Sequence, residues 1–118
     1  MIFGIGCDII EVERIRKAME NPKFSLKIFT DSELNEIGEP INYNRAAGFF
    51  CAKEAISKAL GTGFRNFCFK DIEIKKDKNG KPYVLYLKKE IEPQGSKTSV
   101  SISHSKENAI AYCVIELI

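Results

Sequence analysis

A stretch of helical periodicity between residues 42 and 60 constrains the fold of this chain more than any other feature, because it predicts the longest helix. Gly61 follows this stretch and is typical of a helix C-terminus. The apolar residues of the predicted helix form one stripe, made of Phe49, Ala52, Ile56, Ala59 and Leu60. We expect this stripe to face the core, with Glu54 and Lys58 on the opposite side.

Glu54 and Lys58 are an acid and a base four residues apart, so their side chains project from one face of the predicted helix. Taken alone, such a pair is most often a surface ion pair that contributes a few tenths of a kcal/mol. The small residues Ala47 and Cys51 precede the pair on the same face, which predicts room there for a bound group. Both interpretations stay open at this point.

The first part of the chain predicts short elements. Residues 2–10 are typical of a short buried strand, and residues 11–19 of a helix that the Asn-Pro pair at 21–22 ends. The sequence TDSE at 30–33 is a capping box, which predicts a short helix that stops near Gly38.

Beyond the long helix the period of the apolar residues changes to two. Two β-hairpins are predicted, with strands at 69–76, 83–88, 99–104 and 109–116. The turn sequence DKNG at 77–80 joins the first pair of strands. Because helices come early and strands late, the order favours an antiparallel α+β fold over a parallel βαβ fold.

Length and charge limit the class of protein. At 118 residues we expect a single domain, 1–118. The net charge is only +2, so the bulk charge gives no reason to expect nucleic acid or a membrane as a partner. The four cysteines form no C-x-x-C pair, which favours reduced thiols over a zinc site or a disulfide framework. With no leader and no apolar run of transmembrane length, a cytoplasmic location is the default expectation.

Two polar residues of the predicted strands, Asp8 and His104, are candidates for a chemical role. Asp8 lies in the apolar segment 5–10, where its charge is costly unless it is paired, metal-bound or used as a helix N-cap. With Glu54 it offers the hard oxygen ligands that Mg²⁺ prefers. His104, the only histidine, ends a predicted strand among serines, with Ser101 and Ser103 on the other face. It is either structural or part of a rim that contacts phosphate.

Basic residues are concentrated in and just after the first predicted helix. Between residues 11 and 27 they outnumber the three acids and are Arg14, Arg16, Lys17, Lys23 and Lys27. Such a patch suits an acidic partner, and ordinary solvated helix positions are the alternative. Nucleic acid fits poorly, since acids dilute the patch and no aromatic residue is interleaved with the basic ones.

Four motifs together resemble one family. GIGCD at 4–8, followed by ERI at 13–15, is similar to the N-terminal signature of the holo-acyl-carrier-protein synthases. FCAKEAISKALGTG at 50–63 resembles the central motif of that family, and NGKPY at 79–83 and SISHS at 101–105 resemble its later ones. The four occur in order along residues 2–116, at the spacing of the family.

The resemblance implies a small 4′-phosphopantetheinyl transferase, an α+β domain that assembles as a trimer. Such enzymes move phosphopantetheine from coenzyme A to a serine of apo-acyl carrier protein and release adenosine 3′,5′-bisphosphate. The implied catalytic residues are Asp8, Glu54 and Lys58, of which Asp8 and Glu54 bind Mg²⁺. The implied coenzyme A contacts are Lys58, Gly61, Lys81, Pro82, Ser103 and His104, with His104 acting from a neighbouring subunit. The implied carrier-docking residues are Arg14, Arg16 and Lys17. A non-catalytic trimer that binds a nucleotide or an acidic protein is the alternative.

The chain departs from the family pattern at Phe49, where an arginine that contacts a coenzyme A phosphate is common. Arg45 lies one turn earlier and is a candidate replacement. It is nine residues from Glu54, which places it about 180° away around the helix. Arg45 is therefore expected to serve the site of a neighbouring subunit and not the site of Glu54 in its own chain.

Overall fold

The computed structural model describes residues 1–118 and has four helices and five strands. The helices are α1 (Val12–Ala18), α2 (Pro22–Ile28), α3 (Asp31–Ile37) and α4 (Tyr43–Leu60). The strands are β1 (Ile2–Glu11), β2 (Ile72–Lys76), β3 (Pro82–Tyr86), β4 (Ser96–His104) and β5 (Asn108–Leu117). Two single-turn 3₁₀ helices, Phe69–Asp71 and Lys89–Ile91, lie in the connections.

The strands form two antiparallel sheets. The larger sheet has the order β1-β5-β4, and β2 and β3 form a separate hairpin. In the larger sheet Gly6 pairs with Cys113, and Asp8 pairs with Ala111. The predicted antiparallel α+β fold is therefore confirmed.

The long helix α4 has the predicted bounds. The Asn42 side chain accepts a 3.0 Å hydrogen bond from the backbone N–H of Arg45 at its start, and Gly61, with a φ of 84°, ends it. A left-handed φ of this kind is unfavourable for any residue with a Cβ, which explains the glycine.

Two glycines of β1 set the distance between α4 and the larger sheet. A Cβ on Gly4 would overlap the carbonyl oxygen of Ala59, and one on Gly6 would overlap that of Ala55. The backbones of strand and helix therefore touch, which no larger residue would permit. The same contact brings Asp8, two residues beyond Gly6 on the same strand face, next to α4.

Helix α4 is enclosed on nearly all sides, so the prediction of a single apolar stripe was wrong. Ala47 and Cys51, on the side predicted to have room for a ligand, are fully buried. The Cys51 thiol donates a 3.4 Å hydrogen bond to the backbone oxygen of Ala109 in β5. Small residues are needed there because the sheet packs closely against the helix, and not because a ligand occupies the space.

Three other predictions needed correction. Helix α2 was missed, because Pro22 was taken as the end of α1 when it also occupies the first turn of the next helix, where proline is tolerated. Strand β2 starts at Ile72, after the 3₁₀ turn. Strand β1 was predicted to be buried, yet its face away from α4 is open, with Ile5 70% and Ile9 64% exposed.

The capping box that begins α3 is present as predicted. The Thr30 hydroxyl accepts a hydrogen bond from the backbone N–H of Glu33, and the Glu33 carboxylate accepts one from the backbone N–H of Thr30. All four cysteines are free, in line with the predicted reduced thiols. None of the helices has the length and apolar character needed to cross a membrane.

Candidate active site

Asp8 lies in the middle of β1 and faces α4, so it is not a helix cap. The N-cap of α1 is Glu11, whose side chain makes no capping hydrogen bond. Alternation along β1 places Gly4, Gly6 and Asp8 on the face that packs against α4. The cap interpretation of Asp8 is therefore wrong, and its carboxylate stands at the junction of strand and helix.

Glu54 faces Asp8 from α4. Its side chain is half-buried, and burial raises the pKa of its carboxyl group. The neighbouring charge of Asp8 raises the pKa further, while Lys58 acts in the opposite direction. A carboxyl group held beside a second negative charge in this way gains from a bound cation.

Lys58 reaches across to β1 and does not pair with Glu54. Its ammonium donates a 2.9 Å hydrogen bond to the backbone oxygen of Cys7 and lies 3.3 Å from Oδ1 of Asp8. The interpretation of Glu54 and Lys58 as a simple surface ion pair is therefore wrong. Lys58 instead supplies one positive charge to a cluster that holds two carboxylates.

Cys51 adds a neutral thiol to the floor of this cluster. Burial, and then the charge and hydrogen bond of Asp8, raise the pKa of Cys51 to about 12. The thiol stays protonated at neutral pH and adds no negative charge beside the carboxylates.

The donor set suits one class of metal ion. Nowhere in the structure do three or more His, Cys, Asp or Glu side chains form a group that could hold a metal. A site made of two carboxylates alone fits Mg²⁺, which keeps waters and takes its remaining ligands from phosphate oxygens. It does not fit a closed structural site such as that of zinc.

A second cluster surrounds a cavity of about 310 Å³ at the N-terminal end of α4. It is lined by residues of α4, β4 and the β2–β3 hairpin, among them Arg45, Gly48, Lys76, Gly80, Pro82 and His104. The lining contains an arginine, a lysine and the histidine but no acid. Such a lining favours an anion.

Gly48 makes the space that the imidazole of His104 occupies. A Cβ on Gly48 would lie 2.9 Å from Nε2 of His104 and 3.0 Å from a methyl group of Ile102. The His104 ring therefore lies over the helix backbone, at the mouth of the cavity. As predicted, Ile102 and His104 share one face of β4.

Arg45 shares this cavity. Its Nη1 donates a 2.7 Å hydrogen bond to the backbone oxygen of Glu36, which holds the half-buried side chain in place. Phe49, at the position where the resemblance implies an arginine, is buried in the core. The structure thus places Arg45 beside His104 and away from Glu54, as its helical angle predicts.

Comparison with known proteins identifies the family. The model of the 4′-phosphopantetheinyl transferase superfamily matches residues 4–113. The chain belongs to this superfamily. The holo-(acyl-carrier-protein) synthase of Clostridium tetani is 50% identical over 98% of this chain and 97% of its own length. That of Clostridium perfringens is 49% identical over 98% and 95%.

Solved structures of holo-(acyl-carrier-protein) synthases have the same fold. The Bacillus anthracis enzyme, solved in complex with CoA (3′,5′-ADP), superimposes with a TM-score of 0.86 at 41% identity and covers 100% of this chain and 99% of its own. The Helicobacter pylori enzyme, solved with coenzyme A, has a TM-score of 0.84 at 34% identity, over 95% and 99%. The predicted family and the predicted enzyme class, a phosphopantetheinyl transferase, are confirmed.

The structure divides the predicted transferase residues into two groups. Asp8, Glu54 and Lys58 meet between β1 and α4, whereas Pro82 and His104 meet at the other cavity. Gly61 follows Lys58 at the end of α4, and a Cβ there would have no atom within 4 Å, so a ligand has open access. Arg45, which lines that cavity, and Glu54 lie about 180° apart around the same helix.

Two predicted coenzyme A contacts, Ser103 and Lys81, belong to neither group. Ser103 points to the opposite face of β4 from His104. Lys81 is exposed, and its backbone N–H donates to Asp77 Oδ1 at 2.9 Å within the turn. The roles of both residues stay predictions, and Lys76, which lines the cavity, was not predicted.

The three predicted docking residues all lie on α1 but differ in availability. Arg16 is engaged by Glu13, and its Nη1 lies 3.4 Å from Oε2 of Glu20. Arg14 and Lys17 are exposed and make no ion pair. Arg14 and Lys17 are therefore the free positive charges of this helix.

Sequence reasoning missed Lys53, the residue before Glu54. Its side chain is fully buried, and its ammonium donates to Oε1 of Glu33 at 2.7 Å. Burial lowers the pKa of Lys53, and the Glu33 carboxylate counteracts this effect. The capping box marked Glu33 only as a local helix signal, so the sequence carried no sign of the contact.

Proposed function

We propose that the chain transfers the 4′-phosphopantetheine group of coenzyme A to a serine of apo-acyl carrier protein. The reaction depends on Mg²⁺ and releases adenosine 3′,5′-bisphosphate. The observation that carries the proposal is the cluster of Asp8, Glu54 and Lys58, in which two carboxylates and one ammonium meet at an open edge between β1 and α4. The names of the relatives agree with this reaction.

Asp8 and Glu54 are the residues that would hold Mg²⁺. The effect of the Asp8 charge on the pKa of Glu54 supports this assignment, since a bound cation relieves it. The bound ion supplies charge neutralisation at the pyrophosphate of coenzyme A.

Glu54 and Lys58 act on the proton and on the negative charge of the reaction, respectively. Glu54 accepts the proton of the carrier serine as the general base. Lys58, with its half-exposed side chain next to Asp8, turns toward the departing phosphate and stabilises its charge. The open turn that begins at Gly61 lets the backbone approach the ligand.

The cavity of Arg45, Lys76 and His104 holds the 3′-phosphate of coenzyme A. The acid-free lining supports this assignment, as does its place at the N-terminal end of α4, where the helix dipole favours an anion. Arg45 and Lys76 provide the positive charge that Phe49 does not. On this proposal the loss of the common family arginine is compensated from a different position on the same helix.

The active form is a homotrimer of this single-domain chain, with each site shared between two subunits. The exposed apolar residues Ile5, Ile9 and Tyr112, all on the sheet face away from α4, supply the surface that a neighbouring subunit would cover. The separation of the metal cluster from the phosphate cavity around α4 supports a site completed by a second copy. The four free cysteines fit the predicted cytoplasmic location.

Transfer is tested by incubating the purified protein with Mg²⁺, coenzyme A and an apo-acyl carrier protein. We expect the carrier to gain the mass of one phosphopantetheine, and Asp8→Ala or Glu54→Ala to abolish the gain. Coenzyme A binding without any transfer, and without dependence on Mg²⁺, would instead identify a non-catalytic binding module.

The trimer is tested separately by native mass spectrometry. Ile9→Lys places a charge on the exposed sheet face, and we expect it to yield folded monomers that have lost activity. Leu87→Lys, at an exposed apolar position just after β3 and outside the larger sheet, is the matched control for added charge. A monomeric wild-type protein with full activity would contradict the shared site.

A further inference from the structure

The buried pair of Lys53 and Glu33 connects four separate segments of the chain. Besides Glu33, the Lys53 ammonium donates to the backbone oxygens of Ile28 at 2.7 Å and Phe69 at 3.0 Å. The second carboxylate oxygen of Glu33 accepts a 2.7 Å hydrogen bond from the backbone N–H of Ile74. Helices α2, α3 and α4 and strand β2 therefore meet at one pair of charges.

The pair is fully satisfied. An ammonium has three donors, and all three of Lys53 are used. Both oxygens of Glu33 accept backbone N–H groups as well, from Thr30 and Ile74. A buried polar network in this state is rigid, because any movement would leave a charge without a partner.

Stability alone does not explain an ion pair at this place. Charges lose their hydration on burial, and apolar side chains of similar volume would often give equal or greater stability. The ionic pair adds a fixed orientation of the segments that it bonds, because hydrogen bonds are directional and apolar contacts are not. The bond to Ile28 matters most, because that oxygen lies at the open C-terminal end of α2.

Each end of this connection adjoins a residue with a proposed role. Glu54 follows Lys53 directly, and Lys27 of α2, one of the five basic residues between 11 and 27 that suit an acidic partner, precedes Ile28. Helix α2 also packs on α4 through Phe24 and Phe50, whose ring centroids are 6.0 Å apart. An aromatic contact of this kind permits sliding, whereas the bond from Lys53 to Ile28 does not.

We propose that Lys53 and Glu33 are a positioning pair that holds α2, and with it the docked carrier protein, in a fixed relation to Glu54. This inference rests on the proposed function. The pair touches neither substrate. It aligns the carrier serine with the residue that accepts its proton, and it leaves the coenzyme A contacts unaffected.

The test is the double variant Lys53→Met/Glu33→Gln, which removes both charges, preserves volume and leaves an acceptor oxygen for the Ile74 amide. We expect kcat/KM for the carrier protein to fall by about tenfold to a hundredfold, while the KM for coenzyme A changes by less than about twofold. In a double-mutant cycle, Lys27→Ala should raise the carrier KM in wild type but have little further effect in the double variant. Lys75→Met is the matched control, since it breaks the 3.2 Å contact of β2 with Ser32 of α3 without touching α2 or α4.

A purely structural role predicts other results. The positioning role is overturned if the folded double variant keeps the wild-type kcat/KM for the carrier. It is also overturned if kcat/KM falls equally for the carrier and for coenzyme A. If the double variant does not fold, Glu33→Gln alone is the milder change. It should lower kcat/KM for the carrier by a smaller factor and again leave the KM for coenzyme A nearly unchanged. Failure of the proposed function itself is recognised by the absence of transfer in wild type. Hydrogen exchange at the α2 amides still answers the question in that case, because exchange there should accelerate in the variant but not in Lys75→Met.

Discussion

The ammonium of Lys58 lies 3.3 Å from Oδ1 of Asp8, fifty residues away in the sequence, and bonds the neighbouring backbone oxygen of Cys7. It makes this contact in preference to Glu54, one turn back on its own helix. The lysine therefore joins helix α4 to strand β1 at the point where the carboxylates meet. Its position ties the geometry of the candidate metal site to the packing of the two elements.

Replacing Lys58 by Met should impair transfer without unfolding the protein, because its side chain is about half exposed. We expect kcat to fall by about a hundredfold, as for the loss of one donor to a developing charge. Steady-state kinetics with saturating coenzyme A would measure this. Lys88→Met is the control, since Lys88 also bonds a backbone oxygen, that of Asn66, but lies outside the cluster. An unchanged kcat in Lys58→Met would contradict its assignment to the leaving phosphate.

Replacing Glu54 by Gln should stabilise the metal-free protein at pH 7. Burial and Asp8 raise the pKa of Glu54 in the folded state, so the folded protein holds this proton more tightly than the unfolded chain. The contribution of Glu54 is thus most favourable at low pH and is lost as the pH rises through the raised pKa. Above that pKa its charge costs stability, which Gln avoids.

Thermal unfolding in EDTA would show this as a higher Tm for Glu54→Gln at pH 7. The difference should shrink toward zero as the pH is lowered to about 4, near the pKa of an unfolded glutamate. Added Mg²⁺ should raise the Tm of the wild-type protein and leave that of the variant nearly unchanged. A variant that is less stable than wild type at pH 7 would argue against the repulsion between the carboxylates.

Gly6→Ala should separate β1 from α4. The added Cβ would overlap the backbone oxygen of Ala55, which has no freedom to move within the helix. We expect a loss of about 3 kcal/mol in the free energy of unfolding, the upper range for overpacking, measured by urea denaturation. Gly61→Ala is the control, because a Cβ there meets no atom within 4 Å and only the φ of 84° is unfavourable. Its cost should be about 1 kcal/mol, and equal losses in the two variants would refute close contact as the cause.

Arg45→Gln should reduce the preference of the enzyme for the 3′-phosphate of coenzyme A. We expect kcat/KM for coenzyme A to fall by about tenfold, since one charged hydrogen bond is lost. Activity with dephospho-coenzyme A, which lacks this phosphate, should not change. Lys89→Gln removes an exposed charge outside the larger sheet and serves as the control. Equal losses with both substrates would show that Arg45 acts on something other than the 3′-phosphate.

Arg14→Ala should raise the KM for the carrier protein by about fivefold, the effect of about 1 kcal/mol from one exposed charge. The difference in KM between Arg14→Ala and wild type should diminish as salt is added, because salt screens the attraction between enzyme and carrier. Arg16→Ala should have a smaller effect, since Glu13 and Glu20 already engage that guanidinium. If kcat falls in Arg14→Ala while the carrier KM stays the same, Arg14 is not a docking residue.

Local signals made much of the fold predictable from the sequence. The bounds of α4 follow from Asn42 and Gly61, and the capping box begins α3 where it was expected. The DKNG turn joins β2 and β3 as predicted, since turn residues act within a few positions of one another. Helix α2 was missed because a proline that ends one helix also begins the next.

The candidate site was predictable as a set of residues but not as an arrangement. The motifs named Asp8, Glu54 and Lys58, yet only the fold shows that Lys58 bonds Asp8. Lys53 gave no signal, because its partners are Glu33 and the backbone oxygens of two distant segments. Contacts of this kind arise when elements pack, and no spacing along the chain encodes them.

Helix α4 fixes both the distance and the angle between the two candidate sites. Arg45 and Glu54 are nine residues apart, which corresponds to about 13 Å along the axis and half a revolution around it. One residue inserted between them would turn everything beyond it by about 100° and take Glu54 away from Asp8. Members of the superfamily should therefore differ in length only outside the Tyr43–Leu60 segment. The connections at 64–71 and 87–95 lie outside both candidate sites, and we expect them to tolerate added or removed residues.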